Sequence, residues 1–297
     1  MKLAALDLGS NSFHLLVALT DGASELSKIG SHKEVLRLGS VVQLHGQLPD
    51  DAFDRALACV GRAATVAREL GAEKLLAVAT SALRDARNGR AFCDACSERF
   101  GVPIQLVSGD EEARLAYQGA RSALKLTTGR VLVADIGGGS VELAAGDGSH
   151  CDTVQSLQLG FLRLGHAFRL SDPGGPVRMA RYVQRECEKA RWQVGRFDTL
   201  LLSGGTARAI GKLLGGGIAG ASAGQVLKLC DELSHSSPEK LIKRGVDKHR
   251  AQSLAAGAAV TAGLVAGLGQ REVRISPRGL REGIILRELS RRATRAA

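Results

Sequence analysis

Val131-Leu-Val-Ala-Asp135-Ile-Gly137-Gly138-Gly139-Ser140-Val141-Glu142-Leu-Ala-Ala145 reads as an apolar strand ending in Asp, a turn of Gly and Ser, and a second apolar strand. The same plan stands near the start of the chain, in Leu3-Ala-Ala-Leu-Asp7-Leu-Gly9-Ser10-Asn11-Ser12-Phe13-His14-Leu-Leu-Val-Ala18. Small residues in such a turn let an anion approach the main chain and meet its N–H groups. A carboxylate just before the turn can orient a water or a cation beside that anion. A single Asp-Gly-Gly turn is common in hairpins. Repetition of the whole strand-loop-strand about one domain length apart is far more specific. It points to two α/β domains whose loops face each other and clasp a phosphoryl group.

The elements around these hairpins alternate in type. In the first half, a third strand is expected around Lys33–Leu38, then a Gly-bearing loop through Gly46. A helix from Ala52 to Leu70 follows, with Asp50 and Asp51 as caps and Gly71 as its stop. Strand Lys74–Ala79, a helix reaching Phe100, strand Pro103–Val107 and a helix opened by Ser108-Gly109-Asp110 complete it. In the second half, a strand near Thr153–Leu159 precedes a charged helix over about Val177–Val194. Strand Thr199–Leu202 then runs into Ser203-Gly204-Gly205-Thr206, and Gly215–Gly224 reads as a flexible surface segment. Helices fill the chain to Leu268, before a short strand, Glu272–Ile275, and a last helix from about Leu280. Strands alternating with helices, with a hairpin opening each half, predict mixed sheets covered by helices on both faces.

The 297-residue length suits two domains, and 44% apolar with 24% charged residues is ordinary globular composition. Aromatic residues make up only 3%, which argues against the stacking platforms of single-stranded nucleic-acid binders. The formal charge of +10 is uneven, with eight Arg after residue 270. Such a field gathers polyanions, although an Arg-rich solvated helix face explains it equally well. No nucleic-acid reading motif is present. The six Cys show no disulfide-framework spacing, and Cys93 and Cys96 read as buried helix residues rather than a metal or redox pair. No signal-peptide pattern precedes Leu3. Leu254–Gly269 is interrupted by Gly and short of a membrane span, hence a buried helix. A cytoplasmic protein without membrane or specific nucleic-acid partner is the expectation.

Several side chains can carry chemistry. Glu111 and Glu112 sit in a first helical turn, favoured there by the dipole, and one of them aimed into a cleft could take a proton from water. Asp135 and Glu142 flank the second loop, where a hydrated Mg²⁺ fits between them. Ser203-Gly204-Gly205-Thr206 places small residues at a helix N-terminus, an anion site or a plain tight turn. Arg84, after a buried strand, can act as a phosphate fork.

Together these residues resemble the exopolyphosphatase/guanosine pentaphosphate phosphatase (Ppx/GppA) family of the actin-like superfamily. The resemblance runs from Leu3 to about Leu289. It rests on Asp7–His14, Ala79-Thr-Ser-Ala-Leu-Arg84, Ser108-Gly-Asp-Glu-Glu-Ala-Arg114, Asp135–Glu142, Ser203–Thr206 and Ile275-Ser-Pro-Arg-Gly-Leu-Arg-Glu-Gly283. It implies an α/β fold of two actin-like (ribonuclease H-like) domains with a cleft between them, over residues 1–121 and 122–283. The final helix, about 284–297, would pack back on the first domain.

The resemblance also implies roles. Glu112 would be the base that deprotonates the attacking water, and Asp135 and Glu142 would hold Mg²⁺ (or Mn²⁺), mainly through waters. Ser10, Asn11 and Ser12 would bind phosphate from the first domain, and Gly138, Gly139 and Ser140 from the second. Arg84 would bind phosphate, with Gly204, Gly205 and Thr206 further along the substrate. The implied activity is removal of the terminal phosphate of inorganic polyphosphate, with pppGpp as the alternative substrate and a homodimer compatible with the family. A binding sensor without turnover and an ATP-using kinase are the readings from other classes. Larger relatives carry a C-terminal helical extension with a metal-binding His-Asp domain. This chain is expected to be a short form without it, and less processive on long polymers. Gly160-Phe-Leu-Arg163 has Phe where many relatives have Cys.

Overall fold

The computed structural model describes residues 1–22, 25–124, 129–148, 150–215 and 220–296. In chain order the first elements are β1 (Lys2–Leu8), β2 (Ser12–Thr20), β3 (Leu26–Val35), α1 (Leu38–His45), α2 (Asp50–Glu69), β4 (Lys74–Ala79), α3 (Ser81–Asp85), α4 (Gly89–Phe100), β5 (Ile104–Leu106) and α5 (Gly109–Arg121). Then come β6 (Arg130–Ile136), β7 (Val141–Asp147), β8 (His150–Leu157), α6 (Phe161–Ala167), α7 (Gly175–Val194), β9 (Thr199–Ser203), α8 (Gly204–Leu213), β10 (Ala221–Ser222), α9 (Ala223–Ser234), α10 (Pro238–Lys243), α11 (Lys248–Leu268), β11 (Glu272–Ile275) and α12 (Leu280–Ala296). They divide into two compact units, Met1–Ser122 with Gly279–Ala297, and Ala123–Arg278.

The first unit is a sheet of order β3-β2-β1-β4-β5, antiparallel from β3 to β1 and parallel from β1 to β5. Side chains on β1 alternate between two cores, as the period of a strand requires. Ala4, Leu6 and Leu8 join Val60, Ala63 and Phe92 from α2 and α4. Leu3 and Ala5 join Leu115, Ile284 and Ile285 from α5 and α12. Asp7 shares the parity of Leu3 and Ala5, and its cross-strand partner His14 shares that of Leu16 and Ala18. Both therefore emerge on the α5/α12 side, at the carboxyl end of β1. Helices α5 and α12 meet through glycines: a Cβ at Gly119 would lie 1.8 Å from the Gly279 carbonyl oxygen, and one at Gly283 would lie 1.9 Å from that of Leu115.

The second unit repeats the plan in a sheet of order β10-β11-β9-β6-β7-β8. Its β8-β7-β6-β9-β11 matches β3-β2-β1-β4-β5 in connection and direction, with β10 added at the edge. The mixed α/β class and the duplication read from the hairpins are what the chain adopts. Leu132, Ala134 and Ile136 enter the core, so Asp135 has the opposite parity. Helix α11 is the central core helix, packed against α7, α9, α6, α10 and α8. Its glycines allow this, since a Cβ at Gly263 would lie 2.3 Å from the Ala180 carbonyl oxygen and one at Gly267 would lie 2.5 Å from that of Gln184.

Some local expectations need correction. The stretch taken as a loop through Gly46 is helix α1, held by buried Leu38 and Val42 one turn apart and closed by Gly46 at φ 67°. Strand β3 begins at Leu26 rather than near Lys33. Asp50 and Asp51 are not caps; Pro49 holds that position, and the two carboxylates lie in the first turn of α2. Helix α11 starts at Lys248 and is 21 residues, by length and composition enough to cross a membrane, yet 78% of its apolar window is buried. The segment expected to be flexible contains β10 and the start of α9, while residues 216–219 lie outside the described residues. Cys93 and Cys96 are buried in α4, where burial pushes the Cys96 thiol up to about 12 and the Cys93 thiol upward too.

Candidate active site

In the first unit, Ser108 caps α5 by accepting from Glu111 N, which sets Asp110, Glu111 and Glu112 in the first turn. The two glutamates then part. Glu111 accepts from Arg287 Nη1 of α12 at 2.5 Å. Glu112, 6% exposed, accepts from Arg84 Nη1 at 3.0 Å, and the same nitrogen donates to the Val107 carbonyl at 2.9 Å. Arg84 reaches there because α3 begins directly at the carboxyl end of β4, beside β5. Among the described residues, its buried Nη2 meets no acceptor, and buried Ser81 Oγ and Asn11 Oδ1 also lack partners.

The first loop is shaped from behind. Leu36 N and Arg37 N donate to the Asn11 carbonyl (3.1 and 2.9 Å), and Gly39 N donates to that of Ser10 (2.8 Å). With no cis peptide among the described residues, each N–H points opposite the carbonyl of its own peptide plane. The N–H groups of Asn11 and Ser12 therefore point away from α1. Arg37 makes this contact in the left-handed region, at φ 53°, a conformation costly for a residue with a Cβ.

The second unit builds its loop the same way and more completely. Phe161 N donates to the Gly137 carbonyl (3.2 Å), Leu162 N to that of Gly138 (2.9 Å), and Arg163 Nε to that of Gly139 (2.9 Å). The N–H groups of Gly138, Gly139 and Ser140 consequently turn the other way, and among the described residues they donate to no acceptor. All three residues are buried. Three consecutive amides turned to one side form a nest for an anion.

Asp135 and Glu142 are directly paired across β6 and β7 and so share a face. Glu142 is 1% exposed and accepts from Ser156 Oγ at 2.9 Å, its neighbour on β8. Gly204, at φ 93°, lets the start of α8 close on Asp135, since a Cβ there would lie 3.1 Å from Oδ1. Two hard carboxylates on one face fit Mg²⁺, which keeps several waters and needs few protein ligands. No group of three His, Cys, Asp or Glu suited to a metal occurs among the described residues, which disfavours a closed structural site. The two residues Asp135 and Glu142 are those that would hold the ion.

The start of α8 carries the remaining predicted positions. Thr206 is fully buried, and its Oγ1 has no partner among the described residues. Arg250, at the start of α11, lies over Gly205: a Cβ at 205 would fall 2.2 Å from its Nη2. Burial and repulsion from Arg208 lower its pKa, with Asp247 opposing. Sequence reasoning missed Arg250, which follows a helix-capping Asp with no local motif to mark it. It also missed Arg281, whose Nη1 bonds His14 Nε2 at 2.8 Å in the first unit, although Arg281 lay inside a quoted motif. Of the C-terminal arginines, Arg281, Arg287 and Arg292 bond within the first unit, whereas Arg291 and Arg295 are exposed.

The family model of the Ppx/GppA phosphatase family matches residues 16–292. The chain belongs to this family. As a phosphatase it is a hydrolase. It is 31% identical to exopolyphosphatase 1 of Mycobacterium leprae over 312 residues, which covers 99% of this chain and 91% of that protein. Exopolyphosphatase 1 of Mycobacterium tuberculosis (strain ATCC 25618 / H37Rv) is also 31% identical, over 99% of this chain and 90% of its own length. The crystal structure of the Aquifex aeolicus Ppx/GppA family member superposes with a TM-score of 0.82 at 27% identity, covering 98% of both chains.

Proposed function

We propose that the chain is a metal-dependent exopolyphosphatase, removing the terminal phosphate of inorganic polyphosphate by attack of a water that Glu112 deprotonates. The observation that carries this reading is the Arg84–Glu112 pair. One guanidinium nitrogen fixes the carboxylate, while the other is buried with no acceptor among the described residues and is available to a phosphoryl oxygen. The names of the mycobacterial relatives support polyphosphate as substrate, and an aromatic content of 3% favours a polymer of phosphates over a nucleobase.

In this reading Glu112 takes the proton as the water oxygen bonds to the terminal phosphorus. The bond to the bridging oxygen breaks, releasing orthophosphate and a chain one unit shorter. In the first unit, Arg84 Nη2 and the N–H groups of Asn11 and Ser12 can stabilise charge on non-bridging oxygens; in the second, those of Gly138, Gly139 and Ser140 can bind phosphate. Thr206 and Arg250 bind phosphates further along. A Mg²⁺ ion held by Asp135 and Glu142 would neutralise phosphate charge when bound. The six free cysteines, five of them buried, fit a reducing compartment, and we place the protein in the cytoplasm.

The test is phosphate release with Mg²⁺ from short and long polyphosphates and from pppGpp, for wild type and Glu112→Gln. The expected result is polyphosphate turnover, cut by about 10²–10⁴-fold in the variant with binding kept. Turnover of pppGpp alone would transfer the assignment to a pppGpp 5′-phosphohydrolase. Binding of both without hydrolysis would make the chain a sensor.

A further inference from the structure

We propose that Arg163 is a positioning residue for the second anion loop, fixing the direction of the Ser140 N–H without touching substrate; this rests on the reading of that loop as a phosphate site. The loop has three peptide planes whose carbonyls belong to Gly137, Gly138 and Gly139 and whose N–H groups belong to Gly138, Gly139 and Ser140. Backbone N–H groups at the start of α6 hold the first two carbonyls, and any sequence able to form that turn could supply them. The third has a side chain for its partner: Arg163 Nε donates to the Gly139 carbonyl at 2.9 Å. Gly160 makes this possible. A Cβ there would lie 2.2 Å from the Gly139 carbonyl carbon, so only glycine lets α6 press against the loop.

A Gly-Gly-Ser turn is flexible, and its glycines reach both signs of φ at little cost. Without the bond to Arg163, the Gly139–Ser140 plane is free to rotate, and its N–H leaves the nest while the other two stay. Arg suits the task because its planar fork donates from a fixed geometry, whereas Lys offers a mobile point charge. Among the described residues, the first loop has no equivalent side chain. There, Leu36, Arg37 and Gly39 hold the carbonyls through backbone N–H groups alone. The two loops thus differ in that a side-chain substitution can loosen only the second.

The experiment measures affinity for imidodiphosphate, a non-hydrolysable anhydride analogue, by calorimetry on the full chain at low and high KCl. Wild type is compared with Arg163→Met and Arg163→Lys, each with its melting temperature. Loss of one oriented donor predicts about tenfold weaker binding by the methionine variant, a nearly unchanged melting temperature and an unchanged salt dependence. The lysine variant recovers part of the loss, and it carries the comparison if the methionine variant does not fold. Hydrogen exchange of the 137–140 loop should quicken while that of residues 143–147 of β7 does not. Unchanged affinity would overturn the proposal. So would a shallower salt dependence in the variant, which marks a direct ion pair with the ligand. Wild type failing to bind imidodiphosphate would instead overturn the reading of the loop as an anion site, and this proposal with it.

Discussion

Arg84 serves two acceptors with a single nitrogen, and the consequences for stability and for chemistry separate cleanly. Removing the guanidinium takes a charged donor at 3.0 Å from the buried Glu112 carboxylate, and breaking a buried pair costs about 3–5 kcal/mol. Arg84→Met should therefore lower the melting temperature, and adding Glu112→Gln should restore part of it by replacing the buried charge with a neutral amide. Activity should remain lost in the double variant, which thermal melts and phosphate release on the same preparations would check. Glu34 offers a pH test away from the site. Its carboxylate accepts two hydrogen bonds from Arg62 (2.8 and 2.6 Å), and this lowers its pKa to about 2 from 4.5, against opposition from burial. A depressed carboxylate pKa contributes stability that is present above the unfolded value and lost as pH falls through the folded one. The melting-temperature gap between wild type and Arg62→Ala should thus be full at pH 6 and shrink between pH 4.5 and about 2. A gap that widens on acidification would contradict this.

At the scale of elements, the glycines of α5 and α12 set how closely the helix that carries Glu112 meets the last helix. Gly119 faces the Gly279 carbonyl, and Gly283 faces that of Leu115, so the helices touch backbone to backbone. Gly119→Ala has no flexible neighbour to displace and must push α12 from α5. The expected cost is at or above the upper end of the roughly 1–3 kcal/mol of core overpacking, with activity falling as well because Arg287 on α12 restrains Glu111 beside Glu112. Urea denaturation and kcat of the variant would check both. Legibility from sequence also differs by element. Strand-loop-strand hairpins declare themselves because apolar runs bracket a turn that only small residues can make, so Asp135, Glu142 and both loops could be read directly. Helix α1 could not, since it has one buried pair, Leu38 and Val42, and carries Gly39 in its first turn. The left-handed Arg37 that starts it has no sequence signature, because that conformation is ordinarily read from Gly. Arg250 is out of reach for a different reason. Nothing near it in sequence marks it, and only the packing of α11 beneath α8 brings its guanidinium over Gly205.

Across the whole molecule, one topology has been used twice and given different chemistry at equivalent places. The strand order β3-β2-β1-β4-β5 recurs as β8-β7-β6-β9-β11, and each copy places its loop after the first strand of the set. At the next strand-to-helix junction, the first unit carries Ser81 and Arg84, and the second carries Gly204, Gly205 and Thr206. Glu112 stands after the fifth strand of the first unit, and the paired carboxylates Asp135 and Glu142 belong to the second. These sites work in the field of a chain with a net charge of +10. If the substrate is the long polyanion proposed above, that whole field draws it before any contact forms, whereas bond breaking depends on groups already in place. Long-range attraction between solvent-exposed charges is screened within about 8 Å at physiological ionic strength, while desolvated contacts are screened much less. Raising KCl should therefore depress kcat/KM for long-chain polyphosphate steeply and leave kcat nearly level. With tripolyphosphate, which carries few charges, the same salt series should lower kcat/KM less. Equal slopes for the two chain lengths would mean that the net charge does not guide substrate, and that local contacts set the encounter rate.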